Sequence, residues 1–295
     1  MNQPAGRSDA IKHVFMAPAF LVVLTVTLFP LVYALVVSFQ SVRIVPPLPP
    51  RFVGLGNYAD ILSSARFWGS MYTTSTIVLI SVALQYVAGF ALAIALHHNV
   101  PGARLYRVTF LLPMFIAPVC VALIARMVFH PYLGPVNDTI RTLGFGNVPF
   151  LTEPNLAIAT LIIIEVWQWT PFVTLLMLAG LQSLPDELFE AAKVDDIPAW
   201  RRFRDITFPM LLPLSVAVIF IRLIEGFKVI DTVFVLTGGG PGTATETLTL
   251  FAYNEGFKKF NLGYTSALSF TFLVMVIIAS LLYLTAARRL TRKYV

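Results

Sequence analysis

The chain alternates between six long apolar runs and shorter polar segments. The runs cover residues 14–39, 71–96, 108–129, 156–180, 214–236 and 264–286. Each run has about the 20 residues that a helix needs to cross roughly 30 Å of hydrocarbon. Backbone polar groups in lipid must all be paired, and these runs lack the strict alternation of barrel strands, so we predict six membrane-spanning helices. The expected fold class is an all-α membrane protein with one transmembrane domain over residues 1–295.

Composition and charge favour a membrane location and indicate an orientation. Hydrophobic residues make up 57% of the chain and charged residues 12%, about half the charged share of soluble domains. Lys and Arg are concentrated near both ends and in the segments 97–107 and 181–213. The positive-inside rule therefore places these parts in the cytoplasm and the segments 40–70, 130–155 and 237–263 outside. In so apolar a chain, we interpret the net charge of +6 as basic segments that face one side of a membrane, rather than as a surface that binds nucleic acid.

The sequence contains no recognisable catalytic or metal-binding motif. It has no P-loop, no G-x-S-x-G elbow and no H-E-x-x-H pair. Its single cysteine, Cys120, excludes an internal disulfide, and no histidine is followed four residues later by a possible metal ligand. We therefore expect a non-catalytic subunit without a metal or cofactor of its own, whose energy comes from an ion gradient or from another subunit.

The polar segment 182–209 has the pattern of a short amphipathic helix. Ser183 is a favourable N-cap, Pro185 suits the first turn, and acidic residues follow it. Pro198 disfavours helical geometry in Ile197, so the helix should end there. The polar face is acidic, whereas anionic lipid favours a basic one, so a protein partner is preferred over the lipid surface as the contact of this helix.

One motif in this segment resembles a known family. The residues Glu190-Ala191-Ala192, Asp195, Phe203, Ile206 and Pro209 resemble the EAA motif of permease subunits of binding-protein-dependent ABC importers. The resemblance implies a coupling helix that docks in a cleft of an ATP-hydrolysing subunit. The residues implied in coupling are Glu187, Glu190, Ala191, Ala192, Asp195 and Asp196. The family usually has glycine at the position of Asp196; if that position is left-handed, Asp tolerates it better than most residues.

Three further segments extend the resemblance to nearly the whole chain. The first span from Ala17 to Phe39, the segment 54–58 and the region 227–248 resemble the sugar-permease subfamily, of the maltose- and glycerol-3-phosphate-type first permease. This implies a type I ABC importer permease fold in the lipid of a prokaryotic inner membrane, moving a sugar or sugar-like solute by alternating access. The implied partners are a second homologous permease, two ATPase subunits that bind ATP and Mg, and an extracytoplasmic solute-binding protein.

The region 227–248 contains a glycine-rich loop formed by Gly238, Gly239, Gly240 and Pro241. Glycine makes such a loop flexible and gives it access to unusual backbone angles. The loop is either an external gate or a contact for the solute-binding protein, or it is a simple turn.

Polar and ionisable residues inside the predicted spans are candidates for the solute pathway, because they are costly in lipid. They are Gln85, Glu165, Trp167, Gln168, Trp169, Arg222, Glu225, Lys228 and Asp231. The four charged residues of the fifth span recur at every third position, so they drift around one helix and cannot share a narrow stripe. Trp167 and Trp169 are about 200° apart on a helix, so at most one faces the pathway. Each candidate could instead make a contact between helices.

Two rival functions stay open on the sequence alone. An autonomous secondary transporter or channel would be driven by an ion gradient through Glu165, Glu225 and Asp231. A structural or assembly subunit of a membrane complex would have no part in uptake. Dependence of uptake on ATP and on Glu190 distinguishes these rivals from the importer permease.

Overall fold

The computed structural model describes residues 5–97 and 103–291. Parts of the predicted cytoplasmic segments, at 1–4, 98–102 and 292–295, lie outside the described residues. Backbone contacts group the described residues into two compact units. One unit lies within 1–64 and 252–273, and the other lies within 65–251 and 274–295.

The described part of the chain is mostly helical, which confirms the predicted fold class, and it also contains one small antiparallel hairpin. The hairpin pairs β1 (Gln40–Arg43) with β2 (Leu48–Phe52). The helices are α1 (Ala5–Ser38), α2 (Gly56–Ser63), α3 (Ala65–His97), α4 (Ala103–Leu111), α5 (Pro118–Val128), α6 (Pro135–Thr142), α7 (Pro154–Gln182), α8 (Asp186–Val194), α9 (Ala199–Arg202), α10 (Phe208–Phe227), α11 (Asp231–Leu236), α12 (Leu248–Tyr253) and α13 (Leu262–Thr291). A 3₁₀ turn spans Leu112–Phe115, and π-helical turns span Phe203–Thr207 and Asn254–Lys258.

Four of the six predicted spans are confirmed as continuous helices. They lie within α1, α3, α7 and α13, each of which is long and apolar enough to cross a membrane. The most buried of them, α7, has 29 residues and is therefore about 43 Å long, more than the hydrocarbon thickness. The other two predicted spans differ from the prediction, one by a sharp bend and one in its bounds.

The third predicted span, 108–129, is wrong as a single helix. It consists of α4, the 3₁₀ turn and α5, and the two halves are bent by 101°. Pro118 begins α5, and the residue before it, Ala117, is extended with ψ at 136°. Proline has no N–H and disfavours helical geometry in the preceding residue, so the helix must stop and restart here.

The fifth predicted span, 214–236, has the wrong bounds: the helical stretch that is long and apolar enough to cross a membrane runs over Ala199–Phe227. α10 ends at Phe227, and α11 begins only at Asp231. The β-branched pair Val229-Ile230 has low helix propensity, which favours a break at this point. The hydroxyls of Thr247 and Thr249 both donate to the Val229 carbonyl, at 3.2 and 2.6 Å, so the acceptor freed by the break is satisfied.

In the first unit, polar contacts fix the end of α1 to α2. The Ser38 hydroxyl lies 2.7 Å from the Tyr58 hydroxyl, and the Asn57 amide donates to the Ser38 and Gln40 carbonyls at 2.8 and 3.0 Å. Asn57 and Tyr58 belong to the segment 54–58 that resembles the sugar permeases. From Phe15 to Val36 along α1, apolar side chains are exposed nearly all round, as expected for a helix in lipid.

In the second unit, α3 and α7 pack closely and form the centre of the apolar core. At their contact, a methyl group added to Gly89 would lie 2.7 Å from Val173 Cβ and 3.1 Å from the Thr170 carbonyl. Only glycine permits so close an approach, which is how small residues hold helices together in lipid. The core continues through Phe90, Ala93, Leu96, Met177, Leu178, Leu181, Leu211 and Val218.

Candidate functional site

Arg222 lies at the centre of a buried polar network that joins α3, α7 and α10. Its Nε donates to Gln85 Oε1 at 3.0 Å, and its Nη2 lies 3.6 Å from Glu165 Oε2. The guanidinium carbon is 4.5 Å from the centre of the Trp169 ring. Gln85 Nε2 in turn donates to the Glu165 carbonyl at 3.0 Å. Each contact compensates a charge or a dipole that would otherwise be unpaired inside the bundle.

The helices place these side chains together for simple geometric reasons. Glu165 and Trp169 are four residues apart on α7 and therefore share one face of that helix. Gln85 and Arg222 approach this face from α3 and α10. Arg222 is 2% exposed, Glu165 7% and Gln85 0%, so the whole network is removed from lipid.

A cavity of about 280 Å³ lies beside this network. Its charged and aromatic lining residues are Glu165, Trp169, Arg222, Glu225, Lys228 and Asp231. The two helix breaks supply the rest of the wall, through Pro118 on one side and the segment 228–232 on the other. Non-helical backbone within a membrane is tolerated where it lines a polar cavity. The cavity therefore accounts for the presence of the two helix breaks, and the breaks form part of its wall.

A second ion pair lies at the cavity, at the C-terminal end of α10. Lys228 Nζ is 2.7 Å from Glu225 Oε1, and both side chains are about half exposed. Asp231 also lines the cavity, and it forms no ion pair among the described residues. The cavity therefore contains two paired cations and three carboxylates, of which one is unpaired.

Three of the predicted pathway residues do not line this cavity. Gln85 lies behind Arg222 in the network. Gln168 is 1% exposed and donates to the Ile116 carbonyl at 3.0 Å, so it supports the break of the third span. Trp167 is 52% exposed and lines an apolar groove on the opposite side of α7. Of the two neighbouring indoles, Trp169 is the one at the cavity.

The glycine-rich loop has the predicted unusual backbone angles, but hydrogen bonds hold it in place. Gly238 and Gly239 have φ of +63° and +94°, values that favour glycine. The Thr245 hydroxyl donates to the Gly240 carbonyl at 2.7 Å and lies 2.8 Å from the Thr237 hydroxyl. The loop is thus a closed hydrogen-bonded turn and not the free segment that its composition suggested.

An ion pair that the sequence analysis missed attaches this loop to α3. Arg66 makes a bidentate contact with Glu246, with both N–O distances at 2.7 Å, and its guanidinium lies 4.9 Å from the Phe251 ring centre. Nearby, the Leu248 amide donates to the Thr74 hydroxyl at 2.9 Å. Arg66 and Glu246 are 180 positions apart, so no local pattern could have paired them.

The predicted cytoplasmic helix exists as α8, but its start differs from the prediction. Ser183 does not cap α8; its hydroxyl donates to the Gly180 carbonyl at 2.8 Å and ends α7. α8 begins at Asp186, after Pro185. The apolar pattern of α7 continues through Leu181, so the first good capping residue falls at the end of that helix.

The residues implied in coupling form an exposed surface on and after α8. Glu187, Glu190, Ala191, Asp195 and Asp196 are exposed, and the one buried member of the set is Ala192. Asp196 has a φ of +51°, so the position where the family usually has glycine is left-handed.

The chain after α8 is anchored to the core. The Phe203 ring lies 5.7 Å from Phe90 of α3 and 5.8 Å from Trp200. α8 is therefore a projecting helix with a fixed base.

Comparison with known proteins agrees with this arrangement. The family described as "Binding-protein-dependent transport system inner membrane component" matches residues 85–292. The probable ABC transporter permease protein y4oQ of Sinorhizobium fredii is 38% identical, over 90% of this chain and 86% of its own length. The trehalose/maltose transport system permease protein MalF of Thermococcus litoralis is 33% identical, over 96% and 95%.

A similar fold occurs in a bacterial alginate ABC transporter, solved in complex with an alginate pentasaccharide-bound periplasmic protein. One chain of that complex has a TM-score of 0.84, with 97% of this chain and 96% of that chain covered. The sequences are 21% identical, so the likeness is one of fold.

Proposed function

Because the chain belongs to the family of binding-protein-dependent transport system inner membrane components, as its motifs indicated, we propose that it forms half of the pathway of an ATP-driven importer for a sugar or sugar-like solute. It is a multi-pass inner-membrane permease, and its relatives are transport subunits rather than enzymes. Catalysis of ATP hydrolysis, with its bound ATP and Mg, belongs to partner subunits in this proposal.

The cavity beside Arg222 is the observation that carries the proposal. Its volume of about 280 Å³ lies close to the lower end of the range for small-molecule sites, roughly 300–1,000 Å³, and Trp169 offers an aromatic surface beside carboxylate oxygens. Sugar rings present apolar C–H faces and hydroxyl groups at once, so they need both kinds of contact. The trehalose/maltose permease named above is similar over nearly the whole chain, which supports the same class of solute.

The connection between α7 and α8 suggests how an ATPase would act on this cavity. Glu165 and Trp169 lie on α7, which continues without interruption to Gln182, and three residues later α8 begins. A force applied to the exposed acidic surface at Glu190 would therefore move the helix that forms the cavity wall. Alternating access in this proposal is a rotation of α7 that follows closure of the two ATPases.

The other partners follow from the remaining surfaces. A second, homologous permease would supply the other half of the pathway, with lipid around the pair. The rigid turn at Gly238, Gly239, Gly240 and Pro241 is proposed as the contact for the extracytoplasmic solute-binding protein or as the external gate. The alginate transporter of similar fold was solved with a periplasmic protein bound, which supports a partner of this kind.

The ion-gradient alternative receives little support from the buried carboxylate. Glu165 lies against Arg222 at 3.6 Å in a closed network, where its charge is compensated inside the protein. A carrier of protons or cations needs a carboxylate that exchanges its partner during transport. We therefore do not assign Glu165 that task.

Reconstitution tests the proposal directly. Proteoliposomes containing this chain, its partner permease, the ATPases and the solute-binding protein should accumulate labelled trehalose or maltose only with internal ATP. Glu190→Ala should abolish at least about 90% of uptake, whereas Asp138→Ala, an exposed carboxylate on α6, should leave uptake unchanged. Both variants should insert in the membrane in equal amounts. ATP-independent uptake by this chain alone would support the secondary carrier instead.

A further inference from the structure

Ser81, in the middle of α3, has a buried hydroxyl that makes no hydrogen bond with any of the described residues. The residue is 2% exposed. Other buried hydroxyls of this unit donate to the carbonyl four residues earlier in their own helix, as do those of Thr74, Thr170, Thr174 and Ser215. An unpaired hydroxyl inside a protein is costly, so a serine that departs from this local solution indicates a further contact.

Ser81 lines a second, smaller cavity that lies against the Arg222 network. Its volume is about 10 Å³, close to the roughly 10–15 Å³ that one water molecule needs. Besides Ser81, the polar side chains in its wall are those of Glu165 and Arg222. The remaining wall is apolar and consists of Ile77, Val78, Val82, Gly226 and Val229. The cavity is therefore too small for a solute, and it presents polar groups from three helices.

The chemistry of the three polar groups favours a small neutral ligand. The Glu165 carboxylate opposes an anion, and the Arg222 guanidinium opposes a metal cation in the same space. The two charges are 3.6 Å apart, longer than the roughly 2.7–2.9 Å of a direct charge-assisted hydrogen bond. At such a separation a water molecule can satisfy both groups, because it accepts from one and donates to the other.

We propose that this smaller cavity is a binding site for one structural water molecule, which joins the Ser81 hydroxyl to the side chains of Glu165 and Arg222. The water accepts from Arg222, donates to Glu165 and makes its third hydrogen bond with Ser81, which is about the usual number for a buried water. Gln85 lies four residues after Ser81 on the same face of α3. α3 is thus attached to the ion pair twice, directly through Gln85 and through the water at Ser81. The site does not depend on which solute the larger cavity holds.

Electron cryomicroscopy of the complete transporter in lipid nanodiscs tests the site directly. In a map that shows ordered water elsewhere in the bundle, one isolated density peak should lie about 2.6–3.2 Å from Ser81 Oγ and at a similar distance from the Glu165 or Arg222 side chain. The same map of the Ser81→Ala variant should lack that peak, because the water has lost one of its three partners.

Thermal unfolding of variants tests the contact by a mutant cycle. Ser81→Ala should lower the Tm by about 2 °C or more, since a buried hydrogen-bonded contact is lost. In the Arg222→Met, Glu165→Gln variant no charge holds the water, so Ser81→Ala should then change the Tm by less than about 0.5 °C. Ser215→Ala is the matched control, because Ser215 contacts the Leu211 carbonyl and the Tyr86 hydroxyl and no member of the network. Its effect should be equal in both backgrounds.

Other states of the Ser81 hydroxyl give different results. A hydroxyl without any partner predicts that Ser81→Ala raises the Tm, since an unsatisfied polar group is removed. A hydroxyl that donates to the Ile77 carbonyl predicts the same loss of Tm in both backgrounds. Either of these results, or a map with ordered water elsewhere and no density between Ser81 and the ion pair, would overturn the water site.

Discussion

At the scale of single residues, Arg222 shows how the site is held together. Its side chain is 3% exposed, and its guanidinium contacts Glu165, Gln85 and Trp169. A buried pair contributes little net stability when it is complete, but removal of one partner leaves a charge without compensation. The network is therefore expected to tolerate replacement of both charges better than replacement of one.

A double-mutant comparison tests this property of Arg222. Arg222→Met alone should destabilise the purified transporter by about 3–5 kcal/mol, because Glu165 stays buried and unpaired. Arg222→Met combined with Glu165→Gln should recover most of that loss. Thermal unfolding in nanodiscs measures both effects. A single variant as stable as the unmodified protein would contradict the network.

The two indoles of α7 provide a matched pair for testing which face of the helix meets the solute. Trp169 lines the cavity and Trp167 faces the outer groove, although they are only two residues apart. Trp169→Ala should weaken trehalose binding at least about fivefold, since a stacked aromatic contact contributes on the order of 1 kcal/mol. Trp169→Phe should recover part of the affinity.

Trp167→Ala is the control for that experiment and should leave trehalose affinity within about twofold. The assay is equilibrium binding of labelled trehalose to the complete transporter in lipid nanodiscs, without the solute-binding protein. Equal losses in Trp167→Ala and Trp169→Ala would mean that the cavity beside Arg222 is not where the sugar binds.

At the scale of elements, the hydropathy pattern of the sequence predicted most of the long helices, but it did not predict the positions at which two of them end or bend. Hydropathy measures how apolar a segment is and contains no information on backbone angles, so 108–129 and 214–236 looked like ordinary spans. Pro118 was a visible signal for the first break, whereas the second depends on Thr247 and Thr249, which are distant in sequence.

The orientation of the two tryptophans of α7 could also be predicted only in part. Helical geometry predicts that Trp167 and Trp169 face different directions, but only the packing of α7 shows that Trp169 is the one at the cavity.

The contact between Arg66 and Glu246 is the clearest case of an element that depends on distant residues. It attaches the glycine-rich turn to the start of α3 through a carboxylate that is 3% exposed. Glu246→Gln should therefore increase the hydrogen-exchange rate of the amides in 238–247 by at least about tenfold, because loss of the charge-assisted hydrogen bonds to the partly exposed Arg66 costs about 1.5–3 kcal/mol locally.

The exposed pair Arg141 and Asp138 is the matched control for Glu246. Exposed ion pairs contribute about 0–1 kcal/mol, so Asp138→Asn should leave exchange in 238–247 unchanged and alter it in α6 only slightly. Mass-spectrometric exchange of both variants measures the difference. Unchanged protection of 238–247 in Glu246→Gln would show that the turn is held by its threonine hydrogen bonds alone.

At the scale of the whole molecule, α7 links two surfaces on opposite sides of the membrane. It is about 43 Å long, and α8 follows its end. The segment before its start contacts α6, where the Asn137 side chain accepts from the Val148 amide and donates to the Val148 carbonyl. α5 packs against α11, which leads into the glycine-rich turn. Charge and motif in the sequence predicted the exposed surface at α8 and the glycine-rich turn. The cavity could be found only in the structure, because its lining residues come from three segments that are distant in sequence.

The central claim is that α8 is where the ATPase acts on the bundle. A photoreactive amino acid placed at Ala191, which leaves Glu190 intact, should crosslink to the ATPase subunit in the assembled transporter. The same probe at Leu133, 85% exposed in the loop after α5, should give no ATPase product. Crosslinks from position 191 to lipid alone, with an intact and active transporter, would contradict the account.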